Sequence, residues 1–183
     1  MYSWPLLTGD TPTTTDARAF RQSLGTFPTG VCLATTVTAA GKREGMTINS
    51  FASVSLDPPL ILWSIRDDAR SAEVFVAARH FCISVLGIAQ REIALQFARP
   101  AADKFAGREE AFEEGLGGCP RLRDAAATFE CHSYSRYQEG DHTILIGQVL
   151  RHERSGIAPL VLLMGQMGSV WDLARDTEAA PAS

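Results

Sequence analysis

The sequence predicts a mainly β protein: an antiparallel sheet, closed or nearly closed into a barrel, with a few short helices. Three observations predict it. About seven apolar runs have strand length, and most follow one another through turns rather than helices. Only three segments carry helical spacing, and all three are short. With so many twisted strands in 183 residues, closing the sheet is the economical way to protect its edges.

The elements follow in order. Residues 1–15 are rich in Thr and Pro and are expected to form a flexible N-terminal segment. Residues 16–173 are expected to form one domain, and 174–183 a fraying tail. "DARAFRQSLGTF" (16–27) has Asp16 as a candidate cap, Ala17, Phe20 and Leu24 on one face, and a stop at Gly25, which describes a short amphipathic helix. A strand over about 31–38 and a Gly-punctuated loop come next. "EGMTINSFASVSLDPPL" (44–60) reads as one return strand broken by the two prolines, and "LILWSI" (60–65) as a third, wholly apolar strand. "DARSAEVFVAARH" (68–80) looks helical with Asp68 as cap. "FCISVLG" (81–87) is a strand, and "AQREIALQFA" (89–98) has Ala89, Ile93 and Phe97 at helical spacing. Residues 99–120 are polar and turn-rich with little periodicity. "ATFECHSYSRYQEGDHTILIGQVLRHE" alternates on both sides of an EGD turn, a long hairpin, and "PLVLLMG" adds a last strand.

Composition narrows the function classes. The net charge is −4 and no Lys/Arg run exceeds two residues, which argues against a nucleic-acid partner. No apolar run reaches the roughly 18–20 residues of a membrane span. The N-terminus lacks the basic region of a signal peptide, so a cytoplasmic location is expected. Cys32, Cys82, Cys119 and Cys131 are widely spaced, with no CxxC pair. They read as reduced core residues, and no metal site is expected from their spacing.

No GxGxxG follows a strand, and no GxxxxGK[ST] or GxSxG is present, so dinucleotide-fold, P-loop and nucleophile-elbow chemistry are disfavoured. Four features remain. The segment 44–60 mixes hydroxyls and an amide with Met46, Phe51 and Val54, so it fits a ligand wall as well as a strand with one wet face. Arg70 and Ser71 lie near a helix start, where unpaired N–H groups favour phosphate; they also fit an ordinary surface. His142 follows a tight turn, where a histidine is either a titratable site residue or a solvated one. The acidic stretch 108–115 reads as a solvated face.

Taken in order, the motifs PTGV (28–31), GMT-x-NSF-x-SVSL-x-PP (45–59) and GDHT (140–143) closely resemble the flavin reductase-like family. These are the short NAD(P)H:flavin oxidoreductases that serve two-component flavin-dependent monooxygenases. The resemblance spans roughly residues 17–165. It implies an FMN-binding split barrel of antiparallel Greek-key type, a homodimer with flavin sites near the interface, FMN or FAD as cofactor, and NADH or NADPH as hydride donor. It implies that Thr47, Ile48, Asn49 and Ser50 lie along the flavin, that Ser53 and Val54 flank the isoalloxazine, and that Ser64, Arg70 and Ser71 approach the phosphate. It places His142 beside the nicotinamide, as a positioning group in catalysis. A flavin-dependent oxidase on the same barrel and a non-catalytic flavin-binding sensor are the alternatives. Two features depart from the family pattern: "MGQMGSVWDL" (164–173) replaces a basic, aromatic final strand, and Asp67 and Asp68 stand where a phosphate would approach. No Arg pair marks a 2′-phosphate site, which leans the donor towards NADH.

Overall fold

The computed structural model describes residues 16–172; the two terminal segments expected to be flexible lie outside them. Helix α1 (Ala17–Gly25) begins where Asp16 accepts a 2.9 Å hydrogen bond from the Arg18 N–H, the bond that an N-cap supplies. It buries none of its residues, so the apolar face with Phe20 and Leu24 lies open in the single chain.

The main sheet is antiparallel throughout. It comprises β2 (Cys32–Val37), β3 (Arg43–Ile48), β4 (Ala52–Leu56), β5 (Pro59–Arg66), β6 (His80–Val85), β9 (Ala127–Glu139) and β10 (His142–Arg154), in the order β3-β2-β6-β9-β10-β5-β4. Two smaller sheets flank it. One joins β1 (Thr29–Gly30), β11 (Val161–Leu163) and β12 (Gln166–Gly168); the other pairs β7 (Phe112–Glu114) with β8 (Pro120–Leu122). Helices α2 (Ala72–Ala77) and α3 (Arg91–Ala98) complete the fold.

The segment expected to be one return strand is two. β3 and β4 are successive in sequence yet form opposite edges of the seven-stranded sheet. Only Asn49–Phe51 joins them, so Ile48 and Ala52 are at most about 13–14 Å apart at full extension. The sheet must therefore curl until its edges approach. No ladder joins β3 to β4 among the described residues, so the closed barrel is not formed by hydrogen bonds. Asn49–Phe51 contains neither Gly nor Pro, so no turn residue marks the break; the only local trace is a slip in the alternation, with Asn49–Ser50 both polar and Phe51–Ala52 both apolar.

Two further expectations change. Helix α2 starts at Ala72 with Ser71 as the flanking residue; Asp68 is instead paired with Arg66 at 2.7 Å. The segment 99–120 is better organised than its polarity suggests. Phe105 and Phe112 are buried against Phe97, with ring centroids 4.9–5.7 Å apart, and the β7–β8 hairpin covers them. Two aromatic anchors in a polar run are too sparse for a periodicity reading. Within 108–115, Glu109, Glu110 and Glu114 are exposed, while Glu113 pairs with Arg121 and Arg123.

The core forms on both sides of the sheet. Trp63, Phe75, Phe81 and Ile83 fill the side under α2, with Trp63 edge-on to Phe75 at 5.0 Å. Leu33, Phe97, Phe105, Leu122 and Leu160 fill the side under α3. All four cysteines are buried and unpaired, and burial pushes the Cys32 and Cys82 thiols up to about 12. They are core thiols with almost no thiolate at neutral pH. The long β9–β10 hairpin crosses this core at Gly147, where a side chain would land on the Phe81 ring and 2.9 Å from Cys131 Cβ. Gly147→Ala is expected to destabilise the protein by about 1–3 kcal/mol through overpacking, read as a lowered urea midpoint. An unchanged midpoint would show that the ring moves aside freely.

Candidate functional site

A cleft of about 520 Å³ opens where the free edge of β3 meets α3 and the approach to α2. Met46 and Thr47 supply one wall, Asp68–Ser71 a second, and Phe97 with residues 98, 100–102 and 104 a third. The chain has only two lysines, Lys42 and Lys104, and both line this cleft.

The walls are fixed by hydrogen bonds that side chains make to backbone. Thr47 Oγ1 donates to the Ala94 carbonyl at 2.7 Å, tying β3 to α3. Lys104 Nζ donates to the carbonyls of Gly45 (3.1 Å) and Phe97 (3.0 Å). Its partial burial lowers its pKa, and the nearby Glu44 carboxylate pulls the other way. Gly45 admits this packing because a Cβ there would sit 2.8 Å from the Phe97 ring. The Lys104 bond also reveals the orientation of the edge. In an antiparallel pair, successive residues point their N–H and C=O groups alternately towards and away from the partner strand. The Gly45 carbonyl faces Lys104, away from β2, so the N–H and C=O of Thr47 also face away from β2.

The electrostatics favour an anion. Lys42, Arg70 and Lys104 line the cleft with Glu44 and Asp68. Glu44 is paired with Lys42 at 2.9 Å, and Asp68 with Arg66. Arg70 is exposed, and among the described residues no carboxylate pairs with it. Ser71 is buried at the start of α2, and its side chain makes no capping bond. Asp67, the other acid that stood against a phosphate here, turns to the β9–β10 hairpin, accepting from Thr143 Oγ1 at 2.7 Å.

The cleft thus gathers Thr47, Arg70 and Ser71, but not every residue singled out from the sequence. Ile48 is buried in the core, and Asn49 is exposed on the link between the sheet edges. Ser50 Oγ accepts from the Ser64 N–H (3.0 Å) and donates to the Ser64 carbonyl (3.1 Å). That side chain pairs with the edge of β5 beyond the last β4 partner, Leu62. Ser53 and Val54 are exposed on β4, with Val54 at a bulge in the β4–β5 pairing. His142 opens β10 opposite Arg66 of β5 and Glu139 of β9. Its Nδ1 lies 2.7 Å from Asp141 Oδ1, and its side chain is 40% exposed. The hydrogen bond to His142, and then its charge, hold the Asp141 carboxyl below its ordinary pKa. His142 does not line the cleft, but both lie at the C-terminal end of β5. Lys104 was missed because it sits in a segment without periodicity; the signal was the scarcity of lysine in the chain.

The chain resembles known proteins over most of its length. The model of the flavin reductase like domain matches residues 24–170. The FMN reductase (NADH) SmoA of Agrobacterium fabrum is 40% identical over 153 residues, covering 84% of this chain and 86% of that protein. The reductase subunit of stachydrine N-demethylase of Rhizobium meliloti is 42% identical over 142 residues, which cover 78% of this chain. The match spans 61% of that relative's length, and 45% of a second relative from the same organism. The Streptomyces globisporus NADH:FAD oxidoreductase, solved with NAD and FAD fragments, superposes with a TM-score of 0.78 at 33% identity, covering 87% of this chain and 95% of that one. The chain belongs to the flavin reductase like domain family.

Ser50→Ala removes both bonds to Ser64 and leaves two edge groups of β5 without these partners. The expected outcome is a loss of about 1–3 kcal/mol with faster hydrogen exchange at the Ser64 amide. Unchanged exchange at that amide would show that the serine does not hold the edge.

Proposed function

We propose that this chain is an NAD(P)H:flavin oxidoreductase that reduces FMN or FAD and supplies reduced flavin to a flavin-dependent monooxygenase. The observation that carries the reading is the cation-lined cleft bordered by the outward-facing edge of β3. The names of relatives support it: an NADH-dependent FMN reductase, and the reductase subunit of a demethylase. We infer further that the curled sheet with its open seam is a split barrel of Greek-key type, as the non-sequential neighbours β2–β6 and β10–β5 suggest. The buried, unpaired thiols and the nicotinamide donor fit the cytoplasm.

The residues present suit a flavin nucleotide. When bound, the flavin supplies the hydride acceptor, and the protein supplies binding, orientation and electrostatics. Arg70, with Ser71 beside it at the start of α2, would hold the phosphate; Lys104 adds positive charge from the facing wall. The outward N–H of Thr47 would donate to the ring edge, where negative charge grows on reduction. Ser50, Ser64 and Ile48 support the site through backbone and packing rather than through free side chains. Ser53, Val54 and Asn49, all exposed near the seam, are assigned to the outer wall of the ring site. No general base is needed for hydride transfer, so His142 is assigned to positioning the nicotinamide.

We also propose a homodimer. The apolar segment "LVLLM" (160–164) would be one candidate contact, but Leu160 is buried and only Met164 of the five is largely exposed. A cluster of uncovered apolar side chains lies on α1 and just beyond it, at Phe20, Leu24 and Phe27, among other exposed apolar residues such as Leu56 and Trp171. Light scattering should give twice the 19.8 kDa of the chain; a monomer mass at micromolar concentration would contradict this.

The assay that tests the function mixes protein, FMN or FAD, and NADH or NADPH, and follows absorbance at ~340 nm. Flavin-dependent loss of absorbance is expected. No oxidation with either donor would leave a flavin-binding module. Arg70→Ala is expected to weaken FMN binding by roughly tenfold to a hundredfold, from charge-assisted bonds of about 1.5–3 kcal/mol. Riboflavin affinity should fall much less, since riboflavin lacks the phosphate. Equal losses for both ligands would remove Arg70 from the phosphate site.

A further inference from the structure

Asp67 grips the end of the β9–β10 hairpin at three points. Its Oδ1 accepts from Thr143 Oγ1 at 2.7 Å, its Oδ2 accepts from Gln138 Nε2 at 3.3 Å, and its backbone N–H donates to the Asp141 carbonyl at 3.0 Å. Asp141 and Thr143 are the chain neighbours of His142, and Gln138 is the cross-strand partner of Thr143. The grip therefore surrounds His142 without touching its ring, which is engaged by Asp141. The β5–β10 ladder holds the hairpin as far as His142, opposite Arg66; the tip beyond it is outside that ladder. Tyr137 to Asp141 are all exposed, so no apolar burial holds this tip, and the contacts of Asp67 are what tie it to the end of β5.

We infer that Asp67 is a positioning residue for His142. It fastens the hairpin end to the end of β5, so that the imidazole is presented at one place and angle relative to the cleft. The inference rests on the proposed role of His142 towards the nicotinamide. It gives a task to an acid that the sequence alone made a liability for anion binding. An acid near an anion site is tolerable here because its carboxylate oxygens are engaged by two donors of the β9–β10 hairpin. Asp67 does not line the cleft itself.

The test is a double-mutant cycle in NADH and FMN. His142→Ala should raise the KM for NADH and leave FMN affinity near that of the parent. Asp67→Ala should raise the same KM by about three- to tenfold, with FMN affinity and kcat within about twofold. Asp67→Asn should restore most of the loss, because its amide oxygen can still accept from Thr143. Thr143→Val removes the donor and keeps the strand, so it should reproduce part of the Asp67→Ala effect. In the His142→Ala background, Asp67→Ala should add nothing. Independent, multiplying effects would overturn the inference, as would a loss of FMN affinity as large as the rise in KM. If His142→Ala raises the KM and Asp67→Ala does not, the positioning role alone falls. If His142→Ala leaves the KM unchanged, the role assigned to His142 falls, and that of Asp67 with it.

Discussion

Three residues, Asn49–Phe51, carry the chain from one edge of a seven-stranded sheet to the other. That short link is the constraint on which the rest depends. A flat sheet of this width, with strands about 4.8 Å apart, would separate its edges by roughly 29 Å, about twice the reach of the link. The sheet has to curl, and the curl brings the β3 and β4 edges towards one another at the level of the link. The seam is left without a ladder, so the edge groups of β3 face outward. Those are the groups against which α3 and the segment after it build a cleft.

The same seam accounts for the two hydroxyls in 47–64 that are occupied. Ser50 takes the place of a missing strand partner at Ser64, and Thr47 ties the β3 edge to α3. What remains free to recognise a ligand is the backbone of the edge, the Arg70–Ser71 corner and the ammonium of Lys104. Lys104 is held by two carbonyls, so its charge is fixed in place before any ligand arrives, and this preorganisation reduces the cost of binding. The acids complete the arrangement: Asp68, on the cleft wall, is paired with Arg66, and Asp67 is drawn off to the hairpin.

Local signals in the sequence were legible where the physics is local. The Asp16 cap, the EGD hairpin and the helical spacing over 89–98 appear in the structure near their expected limits, because each depends on neighbouring residues. Thr47, Arg70 and Ser71 do meet around one cleft. The break between β3 and β4 was not legible, since which edge a strand joins depends on distant partners. Lys104 was hidden for a similar reason: its partners, Gly45 and Phe97, are 59 and 7 residues away and are backbone carbonyls, which carry no sequence signature. The apolar face of α1 shows the reverse case, a local pattern read correctly whose covering surface is not supplied by the chain's own described residues.

The central claim is that flavin binds in the cleft between the β3 edge, Arg70 and Lys104. Titration of FMN into isotopically labelled protein, followed through the backbone amide resonances, tests it most directly. The account predicts that the amides of Thr47, Arg70, Ser71 and Lys104 shift together along a single binding curve. A different outcome would contradict it: shifts confined to the charged groove at Glu113, Arg121 and Glu153, with the cleft amides unmoved.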